Sequence, residues 1–146
     1  MSAHAMISHL LVFLLSASAA STALAQEGTL NVSLTGIQHE RGSIRVGLYS
    51  DTKTFRKEAQ AVAVQQVAAA PGTVQVSFAS LPAGRYAIMA YHDEDGNGEL
   101  NRRFGMFPTE GYGLSNNPTV MGPPAFEDSA FEVSDGPTVI SIDIRY

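Results

Sequence analysis

The segment GRYAIMAYHD, residues 84–93, decides the fold of this chain. Successive side chains of a β-strand point to opposite faces of its sheet, so a half-buried strand alternates apolar and polar residues. This segment is apolar on both faces, which predicts a central strand covered on both sides. The two apolar sets are Tyr86, Ile88 and Ala90 on one face and Ala87, Met89 and Tyr91 on the other.

Around this segment the sequence alternates with a period of two residues and shows no long helical pattern. Turn signals such as Pro82-Ala83-Gly84 separate the alternating segments, and DTKTFRKEAQ (51–60) suits one or two helical turns between strands. About seven strands in one compact chain predict an all-β fold, a seven-stranded antiparallel two-sheet sandwich of the transthyretin or immunoglobulin type. The other six strands are predicted in TLNVSLTGI (29–37), GSIRVGLYS (42–50), AVAVQQV (61–67), TVQVSFASL (73–81), SAFEV (129–133) and TVISIDIRY (138–146).

Residues 1–25 have the pattern of a secretory signal peptide. An apolar run is followed by small residues, and Ala23-Leu24-Ala25 is a cleavage sequence of the small-x-small type. The alternative, a membrane anchor, needs about 20 apolar residues, and four Ser and Thr residues interrupt the run too early. We therefore expect cleavage after Ala25, a single sandwich domain over residues 26–146, and export to the periplasm or the medium.

Composition limits the classes of partner. The chain has no cysteine, so disulfides are excluded, and no later apolar stretch is long enough to span a bilayer. The formal net charge is −5, and no basic cluster is larger than Arg102-Arg103. Nucleic acid is therefore not expected as a partner, since its binding requires a basic surface.

The stretch HDEDGNGELN, residues 92–101, predicts a calcium site. Carboxylate and amide oxygens on alternate residues of a tight loop point to one centre, and a glycine permits the sharp bend. Phe104 stands where the calcium loop of an EF-hand has its bidentate Glu, and a strand precedes the loop, so this is not an EF-hand. A ligand from elsewhere would close the site, with Glu110 the first candidate and Asp128 the second. The expected calcium ligands are Asp93, Asp95, Asn97, Glu99, Asn101 and Glu110.

An acidic turn without a metal is the alternative interpretation. Asp, Asn and Gly are also the residues that tight turns favour, through local hydrogen bonds and positive φ. Arg102 and Arg103 would then offset the three crowded carboxylates of residues 93–95.

The loop expected over residues 93–126 is long for a compact domain, and long loops tend to be functional. Its second half mixes aromatic residues with Gly, Pro and Asn, which suits either a binding surface or packing against the end of the sandwich. Tyr112, Ser115 and Asn116 are the candidate binding residues in this part of the loop.

The run from Tyr86 to Asn117 resembles DUF2141, a family of exported bacterial proteins without an established function. Asn101 stands where the family often has Asp, and Asp95 where it often has Asn, so the number of oxygen ligands changes little. The resemblance implies an exported module and assigns no catalytic residue. The matching positions are His92, Asp93, Asn97, Gly98, Leu100, Gly105, Pro108, Glu110, Gly111, Gly113, Ser115 and Asn116.

The stretch FASLPAGRYAIMAYHDEDGNG (78–98) is also similar to repeats of prealbumin-like and collagen-adhesin B-type sandwich modules. In those modules Leu-Pro-x-Gly-x-Tyr opens a strand, the Pro-x-Gly makes the turn, and the Tyr packs inward. This similarity implies the sandwich fold and nothing about function.

Three functions remain open. The first is an exported, non-catalytic module, stabilised by calcium, that binds a ligand or an envelope partner through the 93–126 loop. The second is a metal-dependent or transthyretin-like hydrolase that uses His92 and the loop carboxylates. Ser115 lies in no nucleophile elbow, and the closing Tyr-Arg-Gly-Ser run of the hydroxyisourate hydrolases is absent, so we expect no enzyme. The third is a structural component of the cell surface.

Overall fold

A computed structural model describes residues 27–146, so the predicted signal peptide and its cleavage after Ala25 lie outside the described residues. The described chain is mostly β-structure, with one short 3-10 helix, Glu58–Gln60, and one short α-helix, α1 (Phe126–Ser129). The strands are β1 (Glu27–Ile37), β2 (Ser43–Tyr49), β3 (Ala63–Ala68), β4 (Gly72–Pro82), β5 (Gly84–Asp93), β6 (Arg102–Arg103), β7 (Phe107–Pro108), β8 (Tyr112–Leu114), β9 (Phe131–Val133) and β10 (Gly136–Asp143).

Two sheets form the sandwich, which confirms the predicted fold class. One sheet has the order β10-β1-β4, and the other has the order β3-β2-β5-β8, with β9 pairing with the first residues of β5. The strands β6 and β7 form a separate two-stranded hairpin. Strand β5 therefore lies inside the larger sheet, as its two apolar faces predict.

One strand pair differs from the antiparallel expectation. Strand β10 runs parallel to β1 over eight residue pairs, from Gly28 opposite Gly136 to Thr35 opposite Asp143. The other strand pairs are antiparallel. Alternation of apolar and polar residues determines which side chains of a strand face the core. It does not determine the direction of a partner strand that is distant in sequence, so the sequence pattern could not predict this parallel pairing.

The main core lies between the two sheets. Leu30, Val32 and Leu34 of β1 face the Tyr86, Ile88 and Ala90 side of β5, and all are almost fully buried. At roughly 25 cal/mol per Å² of apolar surface, this burial is the main source of stability in a chain without disulfides. The remaining buried members of the core are Ile37, Ile44, Val46, Leu48, Ala69, Val76, Phe78, Leu81, Val133, Ile142 and Ile144.

A second apolar cluster covers the outer face of the larger sheet. Ala87, Met89 and Tyr91 of β5 pack there with residues from two connections. Phe55 comes from the segment between β2 and β3, and Phe126 comes from α1; their rings meet edge to face with centroids 5.8 Å apart. The turn and the 3-10 helix in residues 52–60 fulfil the predicted helical turns. Both faces of β5 are therefore covered.

The 93–126 segment is less irregular than the sequence suggests. It contains β6, β7 and β8, and β8 pairs with residues Met89–Tyr91 of the central strand. Among the described residues there is no helix long and apolar enough to cross a bilayer.

Candidate cation site at the end of the central strand

The acidic stretch begins where β5 ends, so its first carboxylate is held by the most deeply buried strand. Asp93 is the last residue of β5 and only 2% exposed. The chain then turns sharply, and Gly96 and Gly98 take positive φ values of 71° and 76°, which glycine adopts at little steric cost. The turn bends the following residues back around the Asp93 carboxylate.

The Asp93 carboxylate organises this turn. Its Oδ1 accepts the backbone N–H of Asn97 at 3.1 Å, and its Oδ2 accepts the N–H of Gly98 at 2.9 Å. Each carboxylate oxygen has about two lone-pair positions, so each oxygen of Asp93 keeps capacity for a further partner. The same oxygens can therefore hold the turn and coordinate a cation.

Glu110 joins this turn from sixteen residues further along the chain. Its side chain is 5% exposed; Oε1 accepts the N–H of Glu94 at 3.0 Å, and Oε2 accepts the N–H of Asn101 at 3.1 Å. One carboxylate oxygen from each of Asp93, Asp95 and Glu110 lies within 4.8 Å of the others. The structure thus brings together the first candidate for the closing ligand and the two aspartates, whereas Asp128 lies on α1, outside this cluster.

Hydrogen bonds between side chains link Asp95, Asn97 and Asn101 across the turn. Asn101 donates its Nδ2 to Asp95 Oδ2 at 2.7 Å, while its Oδ1 accepts Asn97 Nδ2 at 2.6 Å. The hydrogen bond from Asn101 lowers the pKa of the Asp95 carboxyl below its usual value, so Asp95 carries its negative charge over a wider pH range. Glu99 is exposed, and its N–H donates to Asn97 Oδ1 at 2.9 Å.

The three carboxylates of the cluster have no cationic side chain beside them. Among residues 27–146 the ion pairs within 4.0 Å are His39–Glu94, Arg45–Glu58 and Arg85–Glu127, and none includes Asp93, Asp95 or Glu110. Arg102 and Arg103 are exposed on the β6–β7 hairpin, and Arg102 turns a guanidinium nitrogen to the Leu100 carbonyl. Arg102 and Arg103, which the acidic-turn interpretation offers as counterions, form no ion pair with these carboxylates.

Comparison with protein families agrees with the resemblance seen in the motif. The family model described as "Uncharacterized protein conserved in bacteria (DUF2141)" matches residues 32–141. The chain belongs to this family. Searches among curated proteins and among solved structures gave no match. In this DUF2141 protein the matched range includes the whole candidate cation site, from Asp93 to Glu110.

A second group of polar side chains consists of two histidines and Glu94. His39, His92 and Glu94 each place one ligand-type atom within 4.8 Å of the others, and His39 forms a short contact with Glu94. His92 is fully buried: its Nε2 donates to the Arg41 carbonyl at 2.5 Å, and its Nδ1 accepts the Tyr146 hydroxyl at 2.6 Å. Both ring nitrogens of His92 are therefore engaged within the fold, with the proton assigned to Nε2 from these partners.

The three candidate binding residues occupy different environments in the DUF2141 protein. Tyr112 is half-buried in β8, and its backbone pairs with that of Arg145. Ser115 is 1% exposed and hydrogen-bonded to backbone on both sides, while Asn116 donates its side-chain amide to the Ala130 carbonyl at 2.8 Å. These contacts give Ser115 and Asn116 a structural role, fastening the loop after β8 to the segment around α1.

Sequence reasoning missed a polar network that links the turn after Asp93 to the outer face of the larger sheet. The Tyr91 hydroxyl lies 2.9 Å from the Gly98 carbonyl and 2.8 Å from Glu58 Oε2, and Arg45 pairs with the same glutamate. Burial raises the pKa of the Tyr91 phenol, so the hydroxyl keeps its proton and can donate. Arg45, Glu58 and Tyr91 are far apart in the sequence, so no local motif indicated that they form a network. The sequence showed only that Arg45 and Glu58 are polar residues in β2 and in the 51–60 segment.

Proposed function

We propose that this protein is an exported, non-catalytic sandwich module whose 93–110 loop binds calcium and thereby orders the surface around it. The observation that carries the proposal is a pair of buried carboxylates, Asp93 and Glu110, gathered with Asp95 and left without a cationic partner among the described residues. A buried charge is costly unless it is paired or coordinates a metal. A divalent cation supplies the missing partner.

The chemistry of the ligands supports calcium over a transition metal. The three carboxylates of the cluster offer only oxygen ligands, and Asn101 is hydrogen-bonded both to Asp95 and to Asn97 beside them. Hard cations prefer such oxygens, whereas zinc and copper favour imidazole or thiolate ligands. Calcium also accepts about six to eight oxygens in a flexible geometry, which suits a loop ligated from two distant segments.

The non-catalytic part of the proposal is supported by the histidine. A general base needs a nitrogen that can reach a substrate proton. The His92 ring is fully buried and both its nitrogens have partners within the protein. In the hydrolase alternative, His92 would have to lose one of these partners and become accessible to a substrate.

Thermal melts of residues 26–146 in EDTA and in millimolar calcium test the cation site. A ligand at about 100 times its dissociation constant adds about 2.7 kcal/mol to the folded state. For a domain of this size we expect calcium to raise the melting midpoint by on the order of 10 °C. The increase should vanish in Asp93→Asn/Asp95→Asn, measured against that variant's own melt in EDTA.

A matched variant separates the site from general charge effects. Glu132→Gln/Asp135→Asn removes two exposed carboxylates from around the β9–β10 turn, away from the cluster. It should keep the full response to calcium. Wild-type melts that coincide in EDTA and calcium would refute the proposal and leave the stretch as an acidic turn.

A further inference from the structure

The β6–β7 hairpin has a turn whose backbone does not suit its sequence. Phe104 and Gly105 have φ values of 55° and 67°, and Met106 N–H donates to the Arg103 carbonyl at 3.2 Å. Two central residues with positive φ define a type I′ turn, for which Asn-Gly is the usual pair. Phenylalanine is unfavourable in the left-handed region because its Cβ crowds the following carbonyl.

Among residues 27–146 no packing contact offsets this unfavourable conformation. The Phe104 side chain is 82% exposed, so its ring gains little from burial. Strained residues that persist without an internal reason are typical of functional sites. The phenylalanine at the tip of this hairpin therefore points to a contact outside the protein.

The tip belongs to a cluster of exposed apolar side chains. Eight large hydrophobic residues are exposed in the described chain, and four of them lie here: Phe104, Met106, Phe107 and Met121, with exposures of 82%, 67%, 60% and 97%. Met106, Phe107 and Met121 line one cavity of about 860 Å³, so the hairpin and the 120–124 segment form one surface. Scattered exposed apolar residues are ordinary, but a cluster marks an interaction site.

Basic residues flank this apolar tip in a protein of net charge −5. Arg102 and Arg103 form the first strand of the hairpin, and Arg56 and Lys57 line the same cavity. No acidic side chain lines that cavity, and none of these four cations has an ion-pair partner within 4.0 Å among residues 27–146. The surface therefore combines projecting apolar groups with positive charges that form no ion pair among residues 27–146.

We propose that the hairpin 102–108 docks on the surface of a membrane that contains anionic lipids. Apolar side chains that project from a turn enter the boundary between headgroups and acyl chains, while arginines next to them remain at the headgroup level. Each basic residue near such a surface strengthens the attraction to anionic headgroups. A protein partner would instead have to supply an acidic groove that encloses the tip.

The base of the hairpin is part of the cation site. Thr109 N–H donates to the Asn101 carbonyl at 2.8 Å, and Glu110 follows directly. Occupancy of the cation site would fix the direction in which the hairpin points. The docking surface consists of the hairpin 102–108 and the residues beside it, and its binding to a membrane does not depend on the proposed calcium function.

Vesicle flotation of residues 26–146 tests this docking, in EDTA and in calcium. Large vesicles of equal parts phosphatidylglycerol and phosphatidylcholine are expected to carry the protein to the top of the gradient, and pure phosphatidylcholine vesicles to carry much less. Arg102→Gln/Arg103→Gln should weaken binding to the anionic vesicles roughly 25-fold, about fivefold for each arginine. Phe104→Asn should weaken binding about tenfold, as the transfer of one aromatic ring implies.

Phe104→Asn also serves as its own folding control. Asparagine suits the positive φ of this turn, so the variant should melt at or above the wild-type temperature while it binds vesicles less well. Val139→Thr alters another exposed apolar residue, 73% exposed on β10, and should bind like the wild type.

Three results would overturn the docking proposal. The first is that the Phe104 and arginine variants bind vesicles as well as the wild type in both EDTA and calcium, and the second is that the protein floats equally with both kinds of vesicle. The third is that the wild type binds no vesicles but self-associates in sedimentation, and that Phe104→Asn abolishes this self-association. Failure of the calcium site has a separate signature, namely coincident melts in EDTA and calcium. The two proposals can therefore fail independently.

Discussion

Gly42→Ala is expected to destabilise the fold by about 4 kcal/mol, combining the penalty of a left-handed residue with a severe steric clash. Gly42 has a φ of 70°, and a Cβ at this position would lie 1.9 Å from the Asp93 carbonyl oxygen and 3.0 Å from the Glu94 Cα. Both neighbours are backbone atoms at the end of the central strand, so neither can rotate away.

A glycine with nearly the same backbone provides the control. Gly96 has a φ of 71°, and nothing lies within 4 Å of the position that its Cβ would occupy. Gly96→Ala should therefore cost about 1 kcal/mol, the conformational penalty alone. Urea unfolding of both variants in EDTA measures the difference, and equal losses would contradict the close approach of residues 42 and 93.

The same substitution has a consequence for the proposed cation site. Any shift that relieves the clash at Gly42 moves the backbone of Asp93, whose carboxylate holds the turn. The calcium response of Gly42→Ala should be smaller than that of the wild type, even at temperatures where the variant is folded.

Ser115→Ala is expected to cost about 3 kcal/mol, because it leaves two buried backbone groups without a partner. The Ser115 Oγ accepts the Ile88 N–H at 2.9 Å and donates to the Ser129 carbonyl in a short contact. This hydroxyl is 1% exposed, so water cannot replace it without opening the structure.

An exposed serine supplies the comparison. Ser77 donates to Asn31 on the outer face of the β10-β1-β4 sheet, where water can take over the hydrogen bond. Ser77→Ala should stay within about 0.5 kcal/mol of the wild type. Chemical denaturation of the two variants measures their free energies of unfolding. A loss of less than about 1 kcal/mol for Ser115→Ala would argue against a stabilising role for the buried hydrogen bonds of its hydroxyl.

The fold was predictable where side-chain alternation decides it. The two apolar faces of residues 84–93 indicated a covered central strand, and burial of Ile88 on one face and Met89 on the other confirms it. The parallel pairing of β1 with β10 and the joining of β8 to the larger sheet were not predictable. Both depend on contacts between residues distant in sequence, and a strand of three residues carries too short a pattern to detect.

Local spacing in the sequence indicated Asp93, Asp95 and Asn97 as members of the candidate site. Glu110 was the first candidate for the closing ligand and Asp128 the second, but only the folded chain shows that Glu110 lies beside the two aspartates. The Phe104-Gly105 turn escaped notice because type I′ turns are recognised by Asn-Gly, and here the residue that breaks the rule is the informative one.

The contact between Glu110 and the start of the acidic turn also bears on the conformational entropy of the unfolded chain. A cation shared by Asp93 and Glu110 would close a ring of chain around the hairpin, as a disulfide does, in a protein that has no cysteine. By the chain-entropy estimate, closing a loop of about 15 residues contributes about 3 kcal/mol. Unlike a disulfide, this cross-link would need no oxidant, and a chelator would remove it within the lifetime of the folded protein.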